Sequence, residues 1–297
     1  MTQLTLDFLA RQANEEAPFQ PDVRQQALTE RHLEPNKDAI FSDLLRLRAE
    51  FDCSIEHSLH QHPRLDQYPT GFCLEITKGV LRLINRELAN PTTPAMHALR
   101  RFCEQGGCAK RVWGNLRHQY FQNAIQIGSL YVDVANDSVD RNKPKVEILP
   151  MSAANFYPLS DYDSYSGLAE RYWKAQAYPN RYLPPLAPLF PLLLVYPNGK
   201  IQLHSAYQML LYQNMLSDFT LAEEAIFSGS FQDRRLPSEI LQQLPGRWKP
   251  HLNNLQLSTS PVQDDELRQS FTEARETQLR LDAIRCQNML NLFQRLS

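Results

Sequence analysis

From Ile40 to Ile55, apolar side chains recur every three or four residues, at Ile40, Leu44, Leu47, Phe51 and Ile55. That spacing predicts a helix with one face on a core. The whole stretch 2–62 reads as helices punctuated by Pro18, Pro21 and Pro35. A second helical block covers Phe72 to Leu88 and stops at Asn90-Pro91; a third opens after Pro94 and runs to Cys103, before the Gly106-Gly107 break. Beyond the glycines, Val112, Leu116, Tyr120, Ala124 and Ile127 mark the buried stripe of a further helix over 107–126. Arg111, Asn115, His118, Gln122 and Gln126 form its opposite, polar row, which predicts a shared surface or cleft.

The period then changes to two. Leu130, Val132 and Val134 alternate with Tyr131, Asp133 and Ala135, and Val146 and Ile148 alternate with charged neighbours, so two strands are expected. Asn136 to Pro144 is too short for a helical crossover, which makes the pair antiparallel. Leu192 to His204 reads as a hairpin about Pro197-Asn198-Gly199, where Asn-Gly predicts a type I′ turn. Before it, Pro179, Pro184, Pro185, Pro188 and Pro191 predict extended backbone that wraps the surface or forms a stiff lid. Helix returns over Ala206 to Phe227, and the apolar positions from Leu267 to Leu296 predict one long terminal helix from Asp265.

The expected class is therefore α+β: a mainly helical section 1–128 and an α+β section 129–297, joined in one integrated fold. A small, mainly antiparallel sheet comes from 129–150 and 190–205, and a long C-terminal helix closes the chain. No repeat or linker interrupts the 297 residues.

Composition narrows the functional classes. Lys and Arg total 31 against 33 Asp and Glu, a net charge of -2, so nucleic acid is not expected as the main partner. The most apolar segment, Leu186 to Tyr196, is too short to span a bilayer and is cut by prolines, so no membrane partner is expected. Cys53, Cys73, Cys103, Cys108 and Cys286 form no CxxC, and no secretory leader is read, which predicts free thiols in a cytoplasmic protein.

Three places carry candidate chemistry. The acidic turn Asp133 to Asp140 suits a hard divalent cation held by Asp133, Asn136 and Asp137; its plainer reading is an Asx turn between strands. The run His57, His60, His62 is a second choice for a metal, or else the end of a helix before Pro63. Gly106 to Arg111 resembles an anion-binding helix start with Lys110 and Arg111 as cations, or a plain helix-to-helix turn. Cys103 and Cys108 fit neither a redox nor a zinc spacing, and the aromatics from Phe156 to Tyr182 suit either ligand stacking or core packing.

The resulting expectation is a cytoplasmic enzyme, a transferase or hydrolase, acting on a small polar or phosphorylated substrate with a divalent cation as cofactor. His118, Asp133 and Asp137 would be catalytic, and Lys110, Arg111, Asn115 and Gln122 would bind substrate, in a cleft between the 107–126 helix and the acidic turn. The rival expectation is an interaction or regulatory protein. It would use its C-terminal helix, which could also form a homodimer, and its aromatic and proline-rich middle as a partner surface.

Overall fold

The buried rows of the N-terminal helices meet one face of a curled sheet, and that face decides the architecture around the expected site. The computed structural model describes residues 6–59, 64–252 and 257–296. They fall into two compact units, Glu15–Pro158 and Met1–Asn14 with Leu159–Ser297. After α1 (Leu6–Glu16), the Glu15–Pro158 unit contains α2 (Val23–His32), α3 (Lys37–Leu59), α4 (Cys73–Ala89) and α5 (Pro94–Glu104). Local chemistry starts two of them: the Asp22 side chain accepts from Gln25 N–H at 2.7 Å, and Thr93 caps α5 ahead of Pro94. The predicted helices over 40–55, 72–88 and 94–103 are present.

The segment 107–126 corrects the sequence reading. It forms a hairpin, β1 (Ala109–Leu116) and β2 (Tyr120–Ile127), instead of a helix. The reason is arithmetic. A spacing of four satisfies the period of a strand as well as that of a helix, so Val112, Leu116, Tyr120 and Ala124 share one sheet face, with Val112 opposite Ala124 and Leu116 opposite Tyr120. The turn lacks Asn-Gly; Arg117 and His118 take the positive φ angles of 56° and 54° themselves. The polar row is thereby split. Arg111 and Asn115 face one side of the sheet, and Gln122 and Gln126 the other.

β3 (Leu130–Asp133), β4 (Glu147–Pro150) and β5 (Phe156–Tyr157) complete an antiparallel sheet in the order β4-β3-β2-β1-β5. The expected pairing of 130–133 with 147–150 is found. Ile125, Ile127 and Val132 pack with Leu44, Leu47, Val80 and Leu99 from the helices, while Val112, Leu116, Ala124 and Tyr131 pack with Ala154 and Phe156 on the other face. Each such aliphatic side chain contributes about 1.5–3 kcal/mol when fully buried.

The second unit contains α6 (Tyr162–Tyr172), β6 (Gln176–Pro179), β7 (Leu192–Val195), β8 (Ile201–His204), α7 (Gln208–Leu216), α8 (Thr220–Ser228), α9 (Ser238–Trp248), α10 (Asp264–Glu276) and α11 (Ala283–Leu296). The predicted hairpin is β7–β8, but its turn differs. Val195 pairs with Ile201 and Tyr196 N–H donates to Lys200 O at 2.9 Å, so Pro197 is a central residue. Its ring forbids positive φ, and only Gly199, at 76°, takes it, giving a three-residue loop with a glycine bulge.

Three further expectations are revised here. The proline-rich approach is neither a surface wrap nor a lid: Leu186, Ala187, Leu189 and Phe190 are buried. The Asn180 amide donates to Phe190 O at 2.9 Å and the Asn214 amide to Pro188 O at 2.8 Å, which satisfies buried carbonyls that lie outside any strand ladder. The helix over 206–227 is two, broken where Asp218 and Phe219 have positive φ. The terminal helix is likewise two, because Gln278 turns left-handed and aims Leu279 into the core. Of the aromatic middle, Tyr162, Tyr165, Tyr178 and Tyr182 are buried as core packing, whereas Tyr157 is exposed. No helix among the described residues is long and apolar enough to cross a membrane, and the five cysteines are free thiols.

α3 and α4 approach as antiparallel helices do, with Arg46 bonded to Glu87 and Phe51 lying against Gly79. A Cβ on Gly79 would meet the Phe51 ring at 2.1 Å. Gly79→Ala therefore sets a helix-propensity gain of about 1 kcal/mol against overpacking of about 1–3 kcal/mol or more. Phe51 is buried and cannot swing away. Urea unfolding should show net destabilisation; an unchanged or raised midpoint would contradict this packing.

Candidate functional site

Arg48 lies on the buried side of α3, and its side chain has 0% exposure. Its Nη1 and Nη2 donate to the two oxygens of Asp137 at 2.7 and 3.0 Å, Nη1 also to Val134 O at 2.7 Å, and Nε to Asp52 one turn along the helix at 2.7 Å. Asp52 accepts further bonds from the Tyr68 hydroxyl and the Lys145 ammonium. Burial pushes the Asp52 carboxyl up, but the bonds from Lys145, Tyr68 and Arg48 outweigh it and hold the group below its ordinary value. A bidentate guanidinium thus ties the middle of α3 to the short turn that follows β3.

Asp133 sits beside this cluster in sequence but has its own partners. It is fully buried, and it accepts from Gln122 Nε2 at 2.7 Å, the Tyr131 hydroxyl at 3.0 Å and Ala135 N–H at 2.8 Å. Desolvation pushes its carboxyl up to about 6 against these three donors. Gln122 Oε1, Asn136 Oδ1 and Ser138 Oγ are buried without a hydrogen-bond partner among the described residues, each at a cost of about 1–3 kcal/mol.

The other expected residues are dispersed. His118 occupies the β1–β2 turn, within 3.1 Å of the Asn115 amide and stacked on Tyr157 at 4.9 Å. Arg111 Nη1 donates to Asn123 at 2.6 Å, and Arg111 also pairs with Glu16. The Lys110 ammonium lies 5.7 Å from the centre of the Phe19 ring. Since Gly106-Gly107 leads into a strand, no helix begins there to bind an anion, and Gln25 bonds the exposed Gly106 carbonyl and Cys108 N–H. Asn136 Nδ2 donates to Pro144 O at 3.0 Å, as a residue pinning a turn. Among the described residues no group of three or more His, Cys, Asp or Glu is placed to hold a metal; His60 and His62 lie outside them, and the side chain of His57 is not described.

The concave surface of this unit lies elsewhere. A groove of about 540 Å³ runs between Pro18-Phe19-Gln20-Pro21 and α2 on one side and residues 150–158 on the other. Gln126, fully buried, fixes the near wall: Phe19 N–H donates to its Oε1 at 3.0 Å and its Nε2 donates to Phe19 O at 2.8 Å, two bonds that imitate a strand neighbour. The far wall presents Met151, Tyr157 and Pro158, with Tyr157 41% exposed, its ring backed by His118 and its hydroxyl donating to Asn155 at 3.1 Å. The two charged lining residues, Glu30 and Glu34, are both carboxylates. The sequence marked Phe156 and Tyr157 among aromatics suited to ligand stacking or core packing, but did not join them to Phe19 and α2 in one groove. The available signal was two aromatic residues next to prolines, at 18–21 and 156–158.

Comparison of the chain with protein-family models, curated proteins and solved structures finds no match.

The raised Asp133 carboxyl has a defined sign. Because the folded chain binds this proton more tightly than the unfolded chain, Asp133 stabilises the fold fully only below about pH 4 and loses that contribution as pH rises through about 6, by up to about 3 kcal/mol. Urea unfolding of wild type and Asp133→Asn at about pH 4.5, inside this range, and about pH 7.5, above it, should show wild type gaining on the variant at the lower pH. A difference independent of pH would contradict the assignment.

Proposed function

We propose that this protein is an interaction protein whose Glu15–Pro158 unit binds an extended, proline-containing, positively charged peptide segment in the groove beside α2. The groove is the observation that carries this reading. Aromatic rings between prolines offer flat, dry surfaces to a polyproline II backbone, which loses little conformational entropy on binding. Tyr157 is at once exposed and held in place, as a preorganised anchor should be. Glu30 supplies the charge that selects Arg or Lys beside the prolines, with Glu34, paired with Lys37 at 3.8 Å, next to it.

A small-substrate enzyme built on His118, Asp133 and Asp137 is the competing reading. It draws less support, because the carboxylates are engaged by Arg48, Gln122, Tyr131 and backbone N–H, and the expected helical wall of its cleft is a hairpin.

Selection of a phage-displayed random peptide library against the full chain, followed by anisotropy titration of the enriched peptide, tests the proposal. Enrichment of proline with flanking Arg or Lys is expected. Tyr157→Ala should weaken binding about tenfold or more, and Glu30→Gln should weaken it and flatten its salt dependence. Enriched peptides without proline, or affinity unmoved by Tyr157→Ala in a folded variant, would overturn it.

A further inference from the structure

We infer that the Leu159–Ser297 unit carries a separate binding site for a phosphate-bearing small molecule, in the depression at the C-terminal end of α6. The depression has a volume of about 520 Å³, and its charged lining residues are Glu170, Lys174, Arg234 and Arg235. The cations are not equivalent. Arg234 is committed: it pairs with Glu170 and also donates to Ala177 O at 3.2 Å. Glu170 is thereby neutralised within the site, and it accepts Ala177 N–H at 3.4 Å as well.

Among the described residues Lys174 and Arg235 bond only to main-chain carbonyls: Lys174 Nζ donates to Arg171 O at 2.9 Å, and Arg235 Nη1 to Gln232 O and Arg234 O at 3.1 Å each. Carbonyls fix these side chains without cancelling their charge. Two positive charges are left over one concavity in a chain whose formal net charge is -2. Such a concentration of one sign in a depression focuses the field on an entering anion.

The neighbouring groups fit an anion with several oxygens, such as a phosphate ester, better than a bare halide. The guanidinium of Arg235 has further N–H groups in the fork geometry that matches phosphate oxygens, and Lys174 adds a point charge. Tyr178 donates to Gln176 Oε1 at 2.6 Å, which orients the Gln176 amide and leaves its N–H group for a ligand oxygen. The Tyr178 ring is itself buried and forms a rigid wall for the rest of the molecule.

A purely structural account explains only part of this. A cation near the last carbonyls of α6 suits the helix dipole, and Lys174 does reach Arg171 O. Yet Lys174 occupies the left-handed position just past the helix, φ 57°, where glycine is ordinarily favoured and another residue costs about 1 kcal/mol. The dipole also gives no reason for Arg235, which belongs to the loop before α9.

Lys174→Gly separates the two roles, because glycine relieves the backbone while removing the ammonium. Calorimetric titration of the full chain at low ionic strength with glucose 6-phosphate, and with glucose as the uncharged control, should show saturable binding of the phosphate ester alone. Lys174→Gly should keep or raise the thermal midpoint and weaken binding about tenfold, and Arg235→Gln should weaken it by a similar factor. No saturable heat with glucose 6-phosphate, equal binding of glucose, or an affinity unmoved by both substitutions would overturn the inference.

Discussion

The Glu15–Pro158 unit is organised around a guanidinium that no solvent reaches. Arg48 binds Asp137, Asp52 and the Val134 carbonyl together, so α3 is joined to the strand-to-turn junction after β3 by charge as well as by apolar contact. Burying such a group is costly, and a hydrophobic replacement of the whole cluster could equal its stability. The cluster does something packing does not: it admits one register. A slip of α3 by one residue would carry Arg48 away from the Asp137 carboxylate and the Val134 carbonyl, and a slip of β3 would turn Asp133 onto the helix-facing side of the sheet.

This constraint also accounts for where sequence reading succeeded and where it stopped. Ile40 to Ile55 and Phe72 to Leu88 are long enough that only a helix satisfies their spacing, and those helices are present. Leu130 to Asp133 and its partner carry a clean period of two and pair as expected. Val112, Leu116, Tyr120 and Ala124 are spaced by four, which both periods accept; only the left-handed turn at Arg117 and His118 distinguishes them, and neither residue announces it. Gln278 hides the break between α10 and α11 in the same way. Polar residues were legible as unusual but not as partners. Arg48 and Asp137 are 89 positions apart, and nothing local links them. What looked like a row of ligands is divided, with Arg111 and Asn115 on one face, Gln122 and Gln126 on the other, and His118 in the turn, where it meets Asn115.

Polar atoms therefore serve two purposes in this chain, and burial separates them. Gln126 and Gln122 are interior side chains that hold backbone or carboxylate in place, whereas Glu30, Tyr157, Lys174 and Arg235 are left at concave surface by elements already fixed from behind. The groove of one unit is lined by carboxylates and aromatic rings and the depression of the other by an excess of cations, so the two concave surfaces differ in the sign of their charge.

The central claim is that the polar residues between α3 and the turn after β3 hold the fold. A double-mutant cycle of Arg48→Met and Asp137→Leu, read by urea unfolding, tests it most directly. The account predicts that each single substitution costs about 3–5 kcal/mol, and that the double variant recovers a coupling of about 2 kcal/mol or more, because removing both partners leaves no buried charge unpaired between them. Single variants within about 1 kcal/mol of wild type, or costs that simply add, would contradict it.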